Sequence, residues 1–459
     1  MKQAPAPLVP PAVERAARPL GRFGAGFGRR AIALLLLGLL WMIPAFVDTR
    51  FVTAMFVWDT LILAAWVIDL RRLPPPASLV VRRSWPAPAT LSMPSNVDVV
   101  VSSRANADIL AKIVDATPSQ LRAAPPQGDI RIGPRQESRL TYEITPTRRG
   151  PAALGQVFLR YGSVWQLAER WAVADVAQTV VTYPDLASAR RQSLYLVRSR
   201  QVEMERRAKR ARGAGRAFES LREQRPGDEA RDICWTASAR RGKLVTRLYE
   251  VERSQTVWMM IDAGRLMRAR TAGWSKLDYA VNGALALSQV ALEAGDRVGL
   301  LAYGRRITRV PASSGRTHLK PILDQLALVR EDEWEADHLL AASRVLVEQR
   351  RRSLIVWITD LAETASTPDV VRAATALMKR HVVLFIVIGE PDVQRAAART
   401  PADASEMFES AAAQEIVYRR ESLLARLRNG GALALETTAA GLTPAVINGY
   451  LEVKERNRL

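Results

Sequence analysis

The chain has 459 residues, 48% hydrophobic and 24% charged, which fits about three folded domains and excludes a disordered chain. Its 66 Lys and Arg against 46 Asp and Glu give a formal net charge of +20, favouring nucleic acid, anionic lipid or acidic protein surfaces as partners. A single cysteine excludes an internal disulfide and a zinc ribbon, and the three histidines, His318, His338 and His381, exclude a histidine-rich metal site.

Two apolar runs come first: AIALLLLGLLWMIPAFV at 31–47 and FVTAMFVWDTLILAAWVIDL at 51–70. Each approaches the ~20 residues that cross a bilayer as a helix, so 29–72 reads as a two-span hairpin after a cytoplasmic tail at 1–28. Arg29 and Arg30 precede it and Arg71 and Arg72 follow it. Positive charge on both flanks places both termini and all later domains on the cytoplasmic side. The alternative, a cleaved signal peptide, lacks a small-x-small site after the first run. Asp69 sits at a helix end at little cost. Asp59, near mid-span, either faces another helix or marks a span shifted along the chain.

After PPP at 74–76, residues 78–184 show short strands separated by turn chemistry, clearest at 97–101, 140–144, 157–160 and 179–183. That spacing predicts an immunoglobulin-like β sandwich acting as a spacer or docking module. Residues 187–242 form a connector whose 187–216 part is helical in character and strongly basic. Its sharp reading is nucleic-acid binding through 190–216. The adopted one is a solvated helix near anionic lipid, because no nucleic-acid module and no series of aromatic residues accompany it.

From 243 to 459 strands and helices alternate. Strands are expected at 243–251, 255–262, 297–304, 353–360, 382–389 and 432–438. Helices are expected at 275–294, 319–328, 337–349, 368–380, 403–428 and 443–456. Near-continuous apolar strands between amphipathic helices predict a parallel, doubly wound α/β domain, with ligands beyond the carboxyl ends of the strands. Two strands end there in acids, Asp262 in MMIDAGRLM and Asp360 in VWITDL.

IDAGRLM with ITDL resembles the von Willebrand factor A domain, whose metal site begins D-x-S-x-S and adds a threonine and a later aspartate. The stretch FESLREQRPGDEARDICWTASARRGKLVTRLYEVERSQTVWMMIDAG resembles the signature of the DUF58 family, whose members share the whole layout. That resemblance implies no established enzyme activity and a MoxR-type AAA+ ATPase as partner. It also implies a degenerate metal site. Asp262 and Asp360 stand at the two aspartate positions, but Gly264 and Leu266 replace the serines and Glu335–Ala336 fall at the threonine. Asp262 and Asp360, with Asp337, are the candidate ligands of a divalent ion such as Mg²⁺, and capping of helix N-termini is the alternative role.

Within the signature, Cys234 lies between Ile233 and Trp235, a packing context, and His318 is the nearest histidine in sequence. Asp228 and Arg231 belong to a charged turn of mixed sign, which suits salt bridges better than acid catalysis. Two readings stay open for Arg225, Gly227, Asp228, Arg231, Trp235, Ala239 and Arg240. In one they form a protein-binding surface. In the other Ile233 and Trp235 brace the connector against the α/β core and feed an edge strand at 243–251. The expected function is a membrane-anchored, non-enzymatic adaptor of an AAA+ ATPase. The alternatives are a divalent-metal-dependent domain using Asp262 and Asp360, or nucleic-acid binding.

Overall fold

The computed structural model describes residues 9–21, 24–185, 217–224, 233–250, 255–361 and 367–456. The chain divides into two compact units, Met1–Tyr183 and Pro184–Leu459. The basic connector at 187–216 and Arg225, Gly227, Asp228 and Arg231 lie outside the described residues.

In the first unit two antiparallel sheets share one apolar core. One sheet orders Val13–Ala16, Leu79–Ser84, Ser95–Ser103 and Glu137–Ile144. The other orders Arg18–Pro19, Ala168–Ala174, Val157–Ser163, Ile109–Asp115 and Gln127–Ile132, with Ala25–Phe27 also on the 168–174 strand. Val97, Val99 and Val101 alternate inward from the first sheet and meet Ile113, Leu159 and Tyr161 of the second. Val13–Ala16, Arg18–Pro19 and Ala25–Phe27, within the stretch expected as a tail, are therefore strands of the two sheets. Their short, Pro- and Gly-interrupted runs carry too little alternation to announce a strand.

An ion pair crosses this core. The fully buried Arg83 donates Nε to Asp115 Oδ2 at 3.0 Å and two further bonds to the carbonyls of Val176 (2.8 Å) and Gly155 (3.0 Å). Tyr142 Oη donates to the same Asp115 oxygen at 2.7 Å.

Between the strands 25–27 and 79–84 lie the apolar helices. Arg50–Arg72 is one continuous helix, and the run Arg50–Ser78 is long and apolar enough to cross a membrane. The first expected span differs. It is a helix at Arg29–Gly38, a 3₁₀ turn at Leu39–Trp41 and a short helix at Met42–Ala45. Pro44 has no N–H and its ring crowds the carbonyl four residues back, so the helix changes register at 39–41. Asp69 is not an idle helix end. It is buried and accepts from the backbone N–H groups of Leu167 (3.1 Å) and Ala168 (2.9 Å), tying the long helix to the second sheet.

In the second unit a six-stranded sheet contains β1 (Thr256–Asp262), β2 (Arg297–Tyr303), β3 (Ile307–Ser313), β4 (Leu354–Thr359), β5 (Val382–Gly389) and β6 (Leu433–Thr438), in the order β3-β2-β1-β4-β5-β6. All neighbours are parallel except β2 and β3. The expected all-parallel sheet thus has an antiparallel edge, hidden in sequence because ITRVPAS is half polar and contains a proline. The expected edge strand at 243–251 is not in this sheet. Val245–Glu250 pairs instead with Ala217–Glu223 as a separate ribbon.

Among the described residues the sheet is accompanied by α1 (Lys276–Glu293), α2 (Leu319–Leu328), α3 (His338–Glu348), α4 (Thr367–Met378), α5 (Pro391–Ala398), α6 (Ala404–Asn429) and α7 (Leu442–Glu455). Trp258, Met260, Trp357 and Phe385 pack under α3, α4 and α6 through Ala341, Val345, Ala374 and Leu424. On the opposite face Ser288 of α1 reaches Met259, and Gly283 of α1 lies against Leu442 and Val446 of α7. The strand order reverses between β1 and β4, the point at which doubly wound sheets open a crevice beyond their carboxyl ends.

Candidate functional site

Asp262 ends β1 and Asp360 follows β4, so both acids stand at this switch point. With His338, Gly264, Leu266 and Ala336 they line a pit of about 10 Å³, room for about one water molecule. Asp262 is buried, accepts the Gly264 N–H at 2.7 Å on one oxygen and accepts the Thr359 hydroxyl at 2.6 Å on the other. Burial pushes its carboxyl above the ordinary range, against the pull of His338 and these two bonds.

Asp360 sits in a different environment. Its Oδ2 accepts from Lys276 Nζ at 2.6 Å and its Oδ1 faces an Arg420 nitrogen at 3.4 Å. Burial raises its carboxyl, opposed by those two cations. Lys276 also bonds Glu390, which follows β5, and Arg420 bonds Glu436 of β6 at 2.9 Å and the Leu361 carbonyl at 3.1 Å.

The local sequence explains why Lys276 arrives here. Ala272 and Gly273 both have positive φ, closing a two-residue turn between Arg270–Thr271 and Trp274–Ser275. That turn delivers Ser275 to a capping box: its hydroxyl accepts the Asp278 N–H at 3.1 Å, and Asp278 accepts the Ser275 N–H at 3.0 Å. Lys276 is then the first helical residue of α1, with its side chain fully buried.

On the β1 side, Trp357 Nε1 donates to Tyr303 Oη at 2.6 Å, and the Tyr303 hydroxyl lies 3.1 Å from His338 Nδ1. Indole only donates, so Tyr303 Oη accepts that bond, and a neutral His338 ring with its hydrogen on Nε2 would take the tyrosine proton at Nδ1. Burial lowers the His338 pKa and favours that neutral form, while the Asp262 charge opposes it.

Asp337 does not join the pit. It is the N-cap of α3, accepting the Leu340 N–H at 2.8 Å, the capping role expected as the alternative. A divalent ion in near-octahedral oxygen coordination does not fit what remains. Positions 264 and 266 offer no side-chain oxygen, both Asp360 oxygens face cations, and the Thr359 hydroxyl is bound to Asp262. Among the described residues no group of three or more His, Cys, Asp or Glu is arranged to hold a metal ion.

The described part of the signature stretch that precedes β1 is the two-stranded ribbon and a short helix. Ile233 and Cys234 are buried, and Cys234 N–H bonds the Val245 carbonyl at 2.8 Å. Trp235–Arg241 is a short helix ended by Gly242 at φ 63°, and Ser238 staples it to the ribbon by accepting the Val245 N–H at 2.9 Å. Trp235 is 66% exposed, and Ala239 and Arg240 of the same helix are exposed as well. Of the pair expected to brace the connector, Ile233 is buried and Trp235 is not. The indole, on the first residue of that helix, is left in solvent while Ser238 one turn on is buried.

Residues 220–412 match the family described as "Protein of unknown function DUF58". The chain carries a DUF58 domain. It is 31% identical over 169 residues to an uncharacterized protein of Mycobacterium tuberculosis, covering 36% of this chain and 52% of that one. It is 24% identical over 205 residues to the uncharacterized protein YeaD of Bacillus subtilis, covering 43% of this chain and 47% of that one. The chain spans about half the length of the curated relatives it matches. Among solved structures, an aerotolerance-related membrane protein of Bacteroides fragilis aligns with a TM-score of 0.31 and 14% identity, over 44% of this chain and 100% of that one. Proximal thread matrix protein 1 of the mussel byssus aligns with a TM-score of 0.29 and 10% identity, over 43% of this chain and 46% of that one.

Sequence reasoning found Asp262 and Asp360 but missed Lys276, His338, Glu390, Arg420 and Glu436. Glu390 carried the same signal as the two aspartates, an acid directly after an apolar strand. Ser-Lys-Leu-Asp at 275–278 carries a capping box with the lysine inside it. Arg420 has no local signal, because only the tertiary fold brings the middle of α6 over β4.

Proposed function

We propose that the protein is a membrane-anchored, non-enzymatic adaptor whose DUF58 domain, read as von Willebrand A-like, binds protein partners, chief among them a MoxR-type AAA+ ATPase. The observation that carries this reading is the outward Trp235. An indole left in water on a helix that also exposes Arg240 and is pinned by Ile233, Cys234 and Ser238 has the composition of a binding hot spot and is held ready for a partner. The acids at the switch point favour gripping over reacting, since Asp360 is neutralised from two sides and Thr359 is bound to Asp262.

The anchor is read as a two-pass hairpin in a bacterial inner membrane with both flanks cytoplasmic. Strands 13–16 and 79–84 pair antiparallel, which supports entry and exit of the helical segment on one side. Arg29, Arg30, Arg71 and Arg72 mark that side as the positive one.

The test is photocrosslinking from the exposed position 239, with Trp235 intact or replaced, in native membranes with and without ATP, followed by mass spectrometry. Recovery of an AAA+ ATPase that Trp235→Ala abolishes is the expected result. Crosslinks to no ATPase under either condition defeat the proposal.

A further inference from the structure

Three adjacent parallel strands, β1, β4 and β5, each run into an acid at the same edge: Asp262, Asp360 and Glu390. Converging carboxylates in a buried setting repel one another and need positive charge. Lys276 supplies it, bonded at once to Asp360 and Glu390. Its position is otherwise unfavourable twice over. The ammonium is out of water, and as the first residue of the 18-residue helix α1 it sits at the positive end of the helix dipole. Among the described residues the two carboxylates offset both penalties.

Asp262, by contrast, is served by neutral donors from Gly264 and Thr359. We infer that the Lys276 ammonium is the resident cation of this edge, covalently supplied by the chain in the electrostatic role of a divalent ion, so that the native edge holds its acids together without metal. The inference rests on geometry alone and stands whether or not the adaptor reading holds.

The experiment uses the purified full-length chain in detergent, melted with about 5 mM Mn²⁺ or Mg²⁺, a level at which weak oxygen sites fill, and with EDTA. The native Tm is expected to be the same in all three. Lys276→Met, which leaves Asp360 with the 3.4 Å Arg420 contact alone and takes from Glu390 its bond to Lys276, is expected to lower Tm by about 5–10 °C. Lys276→Met with Asp360→Asn is expected to recover at least half of that loss, since the uncompensated charge goes with its partner.

Should Lys276→Met fail to fold, Lys276→Arg replaces it. It keeps the charge and is expected to melt close to the native chain. A native Tm that rises by several degrees with Mn²⁺ or Mg²⁺ and falls with EDTA overturns the inference. So does a Lys276→Met variant as stable as the native chain.

Discussion

Gly264 and Ala336 lie so close that a Cβ on the glycine would stand 2.8 Å from the Ala336 nitrogen and 3.1 Å from its Cβ. The backbone of the 335–336 turn therefore closes over the position where a D-x-S-x-S pattern would place its first serine. The missing hydroxyl is a consequence of packing as well as of sequence. Gly264→Ser, which restores the pattern on paper, is expected to destabilise the chain by roughly 1–3 kcal/mol through overpacking. It is also expected to confer no Mn²⁺-dependent rise in Tm. Thermal melts of the variant with and without Mn²⁺ check both statements, and a metal-stabilised variant refutes the second.

The Arg83–Asp115 pair predicts a large and asymmetric response. Arg83→Met leaves a fully buried carboxylate with only the Tyr142 hydroxyl, and is expected to cost about 3–5 kcal/mol. Replacing both partners, Arg83→Met with Asp115→Leu, is expected to recover much of that loss, because no charge is then stranded. Chemical unfolding of the single and double variants, followed by tryptophan fluorescence, measures the difference. Equal stability of the two would show that the pair is not coupled.

His381 sets an acid limit on the second unit. Burial and the neighbouring Arg380 push its pKa down to about 4, and its Nδ1 bonds the Ser353 hydroxyl at 3.1 Å. The unfolded chain, at an ordinary histidine value near 6.5, binds the proton that the folded state refuses. This contribution is complete above about pH 6.5 and falls as pH drops toward 4, by roughly 2–3 kcal/mol over the whole window. Urea midpoints at pH 7.5 and 5.0 should show the loss. His381→Asn should have a shallower dependence between the same two values, and an unchanged slope counts against the assignment.

The alternation of apolar strands and amphipathic helices made the six-stranded domain readable almost element by element, because both faces of its inner strands are covered and their runs are uninterrupted. The same logic failed at the edges. β3 is half solvated and broken by Pro311, and the 245–250 strand is apolar enough to imitate a sheet strand while pairing elsewhere. At the candidate site, the local rule of an acid after a strand located Asp262 and Asp360. The charges that define their behaviour come from the start of α1 and the middle of α6, 84 and 60 positions away from Asp360. No local pattern carries that information. The exposure of Trp235 was hidden for a related reason: IleCysTrp reads as one apolar run, and only the helix that begins at Trp235 turns the third residue away from the first two.

The apolar helices make the last prediction. Gly38 of the first helix faces Asp59 of the second so closely that a Cβ there would stand 2.5 Å from Asp59 Oδ1 and 2.9 Å from Trp58 Cδ1. Trp58 Nε1 donates to the Leu34 carbonyl at 2.9 Å across the same contact. Of the two readings for Asp59, the structure selects the one in which the acid faces a partner helix, and small residues are what allow such close approach in lipid. Gly38→Leu is expected to part the helices, break the Trp58 bond and reduce the amount of protein recovered from membranes. Gly38→Ala should do so less. In a Cys234→Ser background, a cysteine at Val47, which is 93% exposed in the turn between the helices, should label from the periplasmic side of intact cells, whereas one at the exposed Arg104 should label only after permeabilisation. Labelling of both positions from the same side would exclude the two-pass hairpin. Wild-type recovery of Gly38→Leu would show that the close contact is dispensable.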